Sequence, residues 1–171
     1  MRTRKARLPD AAAIHDLVEI YSAEGTLLPR SLAEISENIR DFVVVEDGGL
    51  VIGCGALHLY GPHLAEVRSI AVHPEAKGRG AGRKLVKALL HESERHQVTG
   101  VCLFTRIPEF FQRLGFAVAN REDLPDKIYK DCMNCPKLHC CDEVAMVRGE
   151  LPKYAFLHQH HIGQGLVKLD A

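Results

Sequence analysis

A chain of 171 residues, 46% of them hydrophobic and 26% charged, has the length and composition of one globular domain of ordinary size. Basic and acidic side chains number 22 each, so no net field draws the molecule toward nucleic acid or an anionic membrane, and partners must be read from local features. No apolar run approaches the roughly 20 residues that span a bilayer, and the basic N-terminus turns polar before a signal peptide forms, which predicts a cytoplasmic protein.

The chain opens on a short strand that turns at Pro9 and Asp10. Apolar residues at Ile14, Leu17, Val18 and Tyr21 then predict a helix, with Asp10 as N-cap and Gly25 as its stop. After the linker "TLLPR", residues 30–40 repeat the helical pattern. Two β-rich runs flank Asp47-Gly48-Gly49, a hairpin signal, and "AEVRSIAVHP" adds a third strand that ends at Pro74. A glycine-rich turn leads into an amphipathic helix with apolar residues at Leu85, Val86, Leu89 and Leu90. "VTGVCLFT" is a buried strand, "PEFFQRLGF" a short helix closed by Gly115, and "EVAMVR" a late strand. Residues 119–141 read as irregular and the tail 151–171 has no firm pattern, "HQHH" at 158–161 being a polar tract. The order of elements predicts an α+β domain over residues 1–150, built on one mixed, mostly antiparallel sheet with helices on both faces.

Between Pro74 and the helix that follows, "KGRGAGRK" leaves the backbone nearly bare. Its amides can converge on an anion at the positive end of the helix dipole, and Lys77, Arg79, Arg83 and Lys84 supply cations. A plain glycine turn before a solvated basic helix would read the same by itself. A P-loop is excluded because no Lys-Ser or Lys-Thr follows Gly82, and the dinucleotide pattern G-x-G-x-x-G fails at the position after Lys84.

"AVHPEAKGRGAGRKLV" resembles the acyl-CoA-binding motif Q/R-x-x-G-x-G/A of the GCN5-related N-acetyltransferases (GNAT), with Lys77 in the basic position. "FFQRLGF" is similar to that family's late helix and strand, and the resemblance covers residues 2–150. It implies the GNAT fold and acetyl-CoA as cosubstrate. The pyrophosphate would rest on the amides of Gly78, Arg79, Gly80, Ala81, Gly82 and Arg83. Pantetheine would pair with Ile70, Ala71 and Val72 like an added strand, with an amide near Val72 as oxyanion donor. The family's tyrosine general acid falls on Phe111, leaving Thr105 or water to protonate the departing thiolate, or the thiolate to leave unaided.

"FTRIPEFFQRLGF", "GTLLPRS" and "LPDKIYKD" resemble segments of the N-acetylglutamate synthases of arginine biosynthesis. That resemblance implies L-glutamate as acceptor, Glu66 as general base and Arg30 as a carboxylate partner. Physical chemistry agrees in outline: guanidinium forks suit carboxylates, and Arg68, Ser69 and Arg106 join Arg30 as acceptor-binding candidates. Arg30 as a solvated loop residue and Glu66 as a strand-edge charge are the plain alternatives. The synthases' late "R-x-S-K" segment is absent, with the cysteine cluster in its place, and their amino-acid-kinase-like domain has no counterpart in these 171 residues, so arginine feedback through it is not expected. Another small amine, a protein N-terminus, or acetyl-CoA sensing without turnover are the competing functions. Free sheet edges in such a fold suggest a homodimer.

Six cysteines in a chain able to bury a core are expected as reduced thiols or metal ligands rather than disulfides. Cys54 and Cys102 read as core residues, and His73, just before the loop's proline, as structural. The loop at 131–142 holds Cys132, Cys135, Cys140 and Cys141, a short-spaced set that could chelate zinc or simply pack beside the substrate.

Overall fold

The architecture comes from a computed structural model, which describes residues 1–151. Seven strands form one sheet: β1 (Arg2–Lys5), β2 (Phe42–Asp47), β3 (Leu50–Gly61), β4 (Leu64–Val72), β5 (Gly100–Thr105), β6 (Ala117–Val118) and β7 (Val144–Gly149). Their order is β1-β2-β3-β4-β5-β7-β6, and every pairing is antiparallel except β4 with β5. Helices α1 (Ala11–Ala23) and α2 (Leu32–Glu37) cover one face, over a core of Ile14, Leu17, Val18, Ile35, Val44 and Ala71. Helix α3 (Ala81–Arg95) covers the other, burying Leu85, Val86, Leu89 and Leu90 against Val43, Val45 and Leu57. The alternation within "VVV" of β2 sends successive valines to opposite layers, so a strand covered on both faces reads as a continuous apolar run.

Local chemistry explains the joints. Gly48 and Gly49 both have positive φ, the requirement of the two-residue turn that joins β2 to β3. Gly25 also has positive φ and closes α1 in a Schellman motif: its N–H donates to the Ser22 carbonyl and that of Thr26 to the Tyr21 carbonyl. Ser31 and Glu34 form a reciprocal capping box, which starts α2 two residues later than its apolar pattern suggests.

Several expectations need correction. Asp10 does not cap α1 with its side chain. It closes the 3-10 turn Leu8–Asp10 by accepting from the Arg7 N–H at 2.7 Å and takes the Arg4 guanidinium in a two-pronged pair. Residues 119–141 are not irregular. They include α5 (Pro125–Lys130) and 3-10 turns at Arg121–Asp123, Cys132–Asn134 and Leu138–Cys140, elements too short to show a period. Strand β6, of two residues, had no pattern to announce it; α4 (Pro108–Gln112) precedes it. The tail, "HQHH" included, lies outside the described residues.

Candidate active site

Strands β4 and β5 pair only at Ala65 with Val101 and Glu66 with Cys102. Beyond Glu66 they separate. The cause lies on the other edge of β4, where the register with β3 slips between the Cys54–Ala71 and Ala56–Arg68 pairs. Ser69 sits inside that bulge at φ +54°, a left-handed conformation that is unusual without glycine. The bulge bends β4 away from its parallel neighbour and opens a cleft of about 850 Å³, with Val67, Ile70 and Val72 on one wall and Leu103 and Thr105 on the other.

The head of α3 closes one end of this cleft. After the 3-10 turn Pro74–Ala76, Gly78 and Gly80 take φ of +77° and +85°, and Gly80 is the N-cap of α3. The amides of the helix's first turn have no carbonyl four residues back to bond, and they carry the positive end of the helix dipole. Of the residues that the sequence assigns to cofactor binding, Gly78, Gly80, Ala81, Gly82 and Arg83 line the cleft, as do Lys77, Ile70 and Val72. Two candidates do not. Ala71 is buried on the opposite face against the α1 layer, because side chains alternate along a strand. Arg79 is drawn to Asp47 at 2.6 Å, at the β2–β3 turn.

Sequence reasoning missed Tyr21 and Arg113, which also line the cleft. Tyr21 donates its hydroxyl hydrogen to the Val72 carbonyl, and the Lys77 ammonium lies over its ring at 5.0 Å, so α1 fixes both the strand edge and the loop's cation. Nothing in helical periodicity distinguishes this tyrosine from a core residue.

A second cavity, of about 110 Å³, adjoins the cleft and shares Arg68, Ser69, Phe104 and Arg106 with it. It brings together the acceptor-site candidates Arg30, Glu66, Arg68, Ser69 and Arg106 from three separate stretches of chain. Arg30 Nε donates to Ser69 Oγ at 2.9 Å, and its nearest carboxylate is Glu34, at 3.8 Å. Burial and the Arg68 guanidinium lower its pKa from the ordinary arginine value. Arg106 is committed elsewhere: it pairs with Asp142 at 2.7 Å and donates to the Thr26 carbonyl at 3.1 Å, tying the α1–α2 loop to the segment before β7.

Glu66, 3% exposed, is the centre of a charged network. Lys127 Nζ lies 2.8 Å from Oε1, and Tyr60 Oη 2.9 Å from Oε2. Lys127 also reaches Asp131 at 3.1 Å, and Arg68 lies 3.8 Å from Glu66 and 3.6 Å from Asp131. Burial pulls the Lys127 pKa down, but the two carboxylates outweigh it and the net shift is upward. Asp131 is lowered: burial opposes its ionisation and the Lys127 ammonium overcomes that. Lys127 and Lys137 both line this cavity and were not found from sequence, since they belong to the segment that shows no pattern.

Thr105 lines the larger cleft, where its Oγ1 accepts from the Ile107 N–H at 3.0 Å. A hydroxyl that accepts there still has its own proton to donate. Phe111, in the tyrosine's place, packs edge-on against Phe110 and Phe116 and offers no hydrogen bond.

The zinc set is not assembled. Among the described residues no three His, Cys, Asp or Glu side chains are grouped so as to hold a metal ion. Cys135 Sγ accepts from the Lys137 N–H, Cys141 Sγ accepts from the Arg121 guanidinium at 3.2 Å, and Cys140 is exposed. All six cysteines are free, and Cys135 and Cys141 line the second cavity instead.

The family described as "Acetyltransferase (GNAT) domain" matches residues 38–118. An uncharacterised N-acetyltransferase of Chlorobaculum tepidum is 45% identical over 145 residues, 85% of this chain and 94% of that protein. An amino-acid acetyltransferase of Mycobacterium tuberculosis is 39% identical over 116 residues, 66% of each chain. Among solved structures, N-acetylglutamate synthase from Neisseria gonorrhoeae, complexed with coenzyme A and N-acetyl-glutamate, superimposes with a TM-score of 0.78 at 25% identity. That likeness covers 86% of this chain and 34% of the gonococcal one, so the present chain spans about a third of that relative's length. No helix among the described residues is long and apolar enough to cross a membrane. With a bulged β4 splayed from β5, a glycine loop at the head of α3, and relatives matched over most of its length, the chain belongs to the GNAT family of N-acetyltransferases.

Proposed function

We propose that the chain is a cytoplasmic enzyme that transfers the acetyl group of acetyl-CoA to the α-amine of L-glutamate, the first step of arginine biosynthesis. One observation carries the choice of acceptor. The second cavity is lined by five cationic side chains against two carboxylates, and two of the cations keep charge to spare. Arg30 forms no ion pair tighter than the 3.8 Å contact with Glu34, and Lys137 donates to a neutral partner, the Gly25 carbonyl. Two unspent cations in one small cavity match the two carboxylates of glutamate. The names of the relatives support an amino acid as acceptor.

In this reading the bare amides at the head of α3 hold the pyrophosphate, and the unpaired edge of β4 between Ser69 and Val72 receives the pantetheine arm. Both substrates are present together, and the amine attacks the thioester directly. Glu66, on the wall of the acceptor cavity, accepts the proton that the ammonium must lose first. The second proton from the nitrogen ends on the departing thiolate, relayed through the Thr105 hydroxyl, which gives its own hydrogen to the sulfur as it takes the one the nitrogen loses.

The test is release of free coenzyme A thiol from acetyl-CoA with L-glutamate, L-glutamine, L-aspartate, L-ornithine and a peptide bearing a free N-terminus. Glutamate should give the highest kcat/KM. A higher value with ornithine or the peptide would overturn the acceptor assignment. Tight acetyl-CoA binding without turnover on any amine would replace the enzyme with a sensor.

A further inference from the structure

Acetylation of an ammonium by a thioester releases one net proton: two leave the nitrogen and one departs on the thiol. Glu66, the base proposed above, is almost fully buried, so a proton placed on it needs a route out. Tyr60 Oη lies 2.9 Å from Glu66 Oε2 and 2.9 Å from Asp131 Oδ2. A phenol has one proton and accepts as well as donates. It can donate to only one of these carboxylates, so the other contact becomes a hydrogen bond only when that carboxyl carries a proton itself. The geometry therefore has a place for one more proton than the resting network holds. The far end is nearer water: the Asp131 side chain is 29% exposed, against 4% for Glu66.

We propose that Tyr60 and Asp131 are the exit for the proton that Glu66 takes from the acceptor ammonium. The proton on Glu66 Oε2 moves to Tyr60 Oη as the phenolic proton moves to Asp131 Oδ2, and water removes it from there. One O–H bond forms and one breaks at Tyr60, and Glu66 returns to its carboxylate; no oxidant or further reactant is needed. Burial and the two carboxylates hold the Tyr60 phenol far above its usual range, so it gains and loses protons together rather than passing through a phenolate. Lys127 and Arg68 balance the two carboxylates throughout. The other groups facing the network are the His58 ring, edge-on to Tyr60 at 5.0 Å, the Lys130 ammonium, 5.5 Å over that ring, and the Cys102 thiol on β5, which burial keeps protonated.

This inference rests on Glu66 being the base, but not on which amine is acetylated. The test is Tyr60→Phe, which removes one oxygen and keeps the ring, with Asp131→Asn beside it, assayed on the amine of the panel that wild type turns over fastest. Both variants should lose about tenfold or more in kcat. Their KM for acetyl-CoA should stay within about twofold of wild type. Added imidazole should restore part of the loss in proportion to its concentration, while leaving wild type unchanged. A Tyr60→Phe enzyme with wild-type kcat, or with a low kcat that imidazole does not raise, overturns the relay. Failure of L-glutamate beside turnover of another amine would sink the acceptor assignment alone, whereas full activity of Glu66→Gln would remove base and relay together.

Discussion

Two of the loop glycines perform different tasks, and a pair of alanine substitutions separates them. Gly80 has open space around an added Cβ but holds φ at +85°, whereas Gly82 has ordinary helical geometry. Alanine at 80 therefore meets no atom and still costs about 1–2 kcal/mol of left-handed strain. At roughly 2–4 °C per kcal/mol for a chain of this size, its Tm should fall by about 2–8 °C. A Cβ at 82 would lie 3.5 Å from Phe110 Cζ and 3.9 Å from Val72 Cγ2, ordinary contact distances. Gly82→Ala should therefore keep or raise Tm, since alanine is favoured over glycine in a helix by up to about 1 kcal/mol. Leucine there is a different matter, because its branch extends past Cβ into the gap between Phe110 and Val72, both of which line the cleft. Titration calorimetry with acetyl-CoA should show Gly82→Leu weakened by about 100-fold or more, equivalent to roughly 2.8 kcal/mol, with its fold intact by circular dichroism. Wild-type affinity in Gly82→Leu would refute this path for the cofactor, and an unchanged Tm in Gly80→Ala would refute the strain argument.

Glu66→Gln keeps the acceptor for the Tyr60 hydroxyl and deletes the base, so kcat should fall by about 10²–10⁴-fold, and Tm should fall as well because the buried Lys127 ammonium loses one of its two carboxylates; full activity would end its catalytic role. Arg30→Ala and Lys137→Met should each raise KM for glutamate by about 10–100-fold, the worth of one hydrogen bond to a charged group, and Lys137→Met should leave KM for acetyl-CoA unaltered. If both leave KM intact, the dicarboxylate reading is wrong. Acid stability follows Asp10 and Asp131, both lowered on folding: Asp10 by its hydrogen bond from Arg4, Asp131 because Lys127 outweighs burial. A carboxyl lowered in the folded state stabilises above its unfolded pKa, near 3.9, and loses that contribution as pH falls through the folded value. Tm should accordingly drop below about pH 4, more shallowly in Asp10→Asn and Asp131→Asn than in wild type. Equal acid slopes in all three proteins would contradict the pairing.

Wherever one local rule dictates the outcome, the sequence was legible. Paired glycines at a hairpin, a glycine closing α1, apolar residues at helical spacing in α3 and continuous apolar runs in doubly covered strands all need only neighbours a few positions away. The loop glycines were legible for the same reason. What escaped depends on contacts distant along the chain. Tyr60 and Asp131 are 71 residues apart and meet only because α5 folds over β3 and β4. Helix α5 itself spans six residues, too few for a periodic signal, so Lys127 stood in a segment with no visible structure although it pairs with the predicted base. The cysteines misled in the opposite way: their spacing suggested a common ligand, but two 3-10 turns direct the thiols to separate partners.

The separation of β4 from β5 has the least sequence signal and the largest functional consequence. A serine with positive φ carries no mark in a sequence, since glycine is the residue expected there. Holding Ser69 in that conformation costs about 1–2 kcal/mol, and the hydrogen bond from Arg30 to its hydroxyl offsets part of this. Arg30 also lines the second cavity, so one side chain helps maintain the bend that opens the larger cleft and, in the proposed reading, offers a cation to the incoming amino acid. The two proposed substrate sites therefore share the Arg30–Ser69 pair. Occupation of the acceptor cavity by a carboxylate bears directly on the strand edge proposed to carry the pantetheine arm, and the bulge makes binding and orientation of the two substrates parts of one structure.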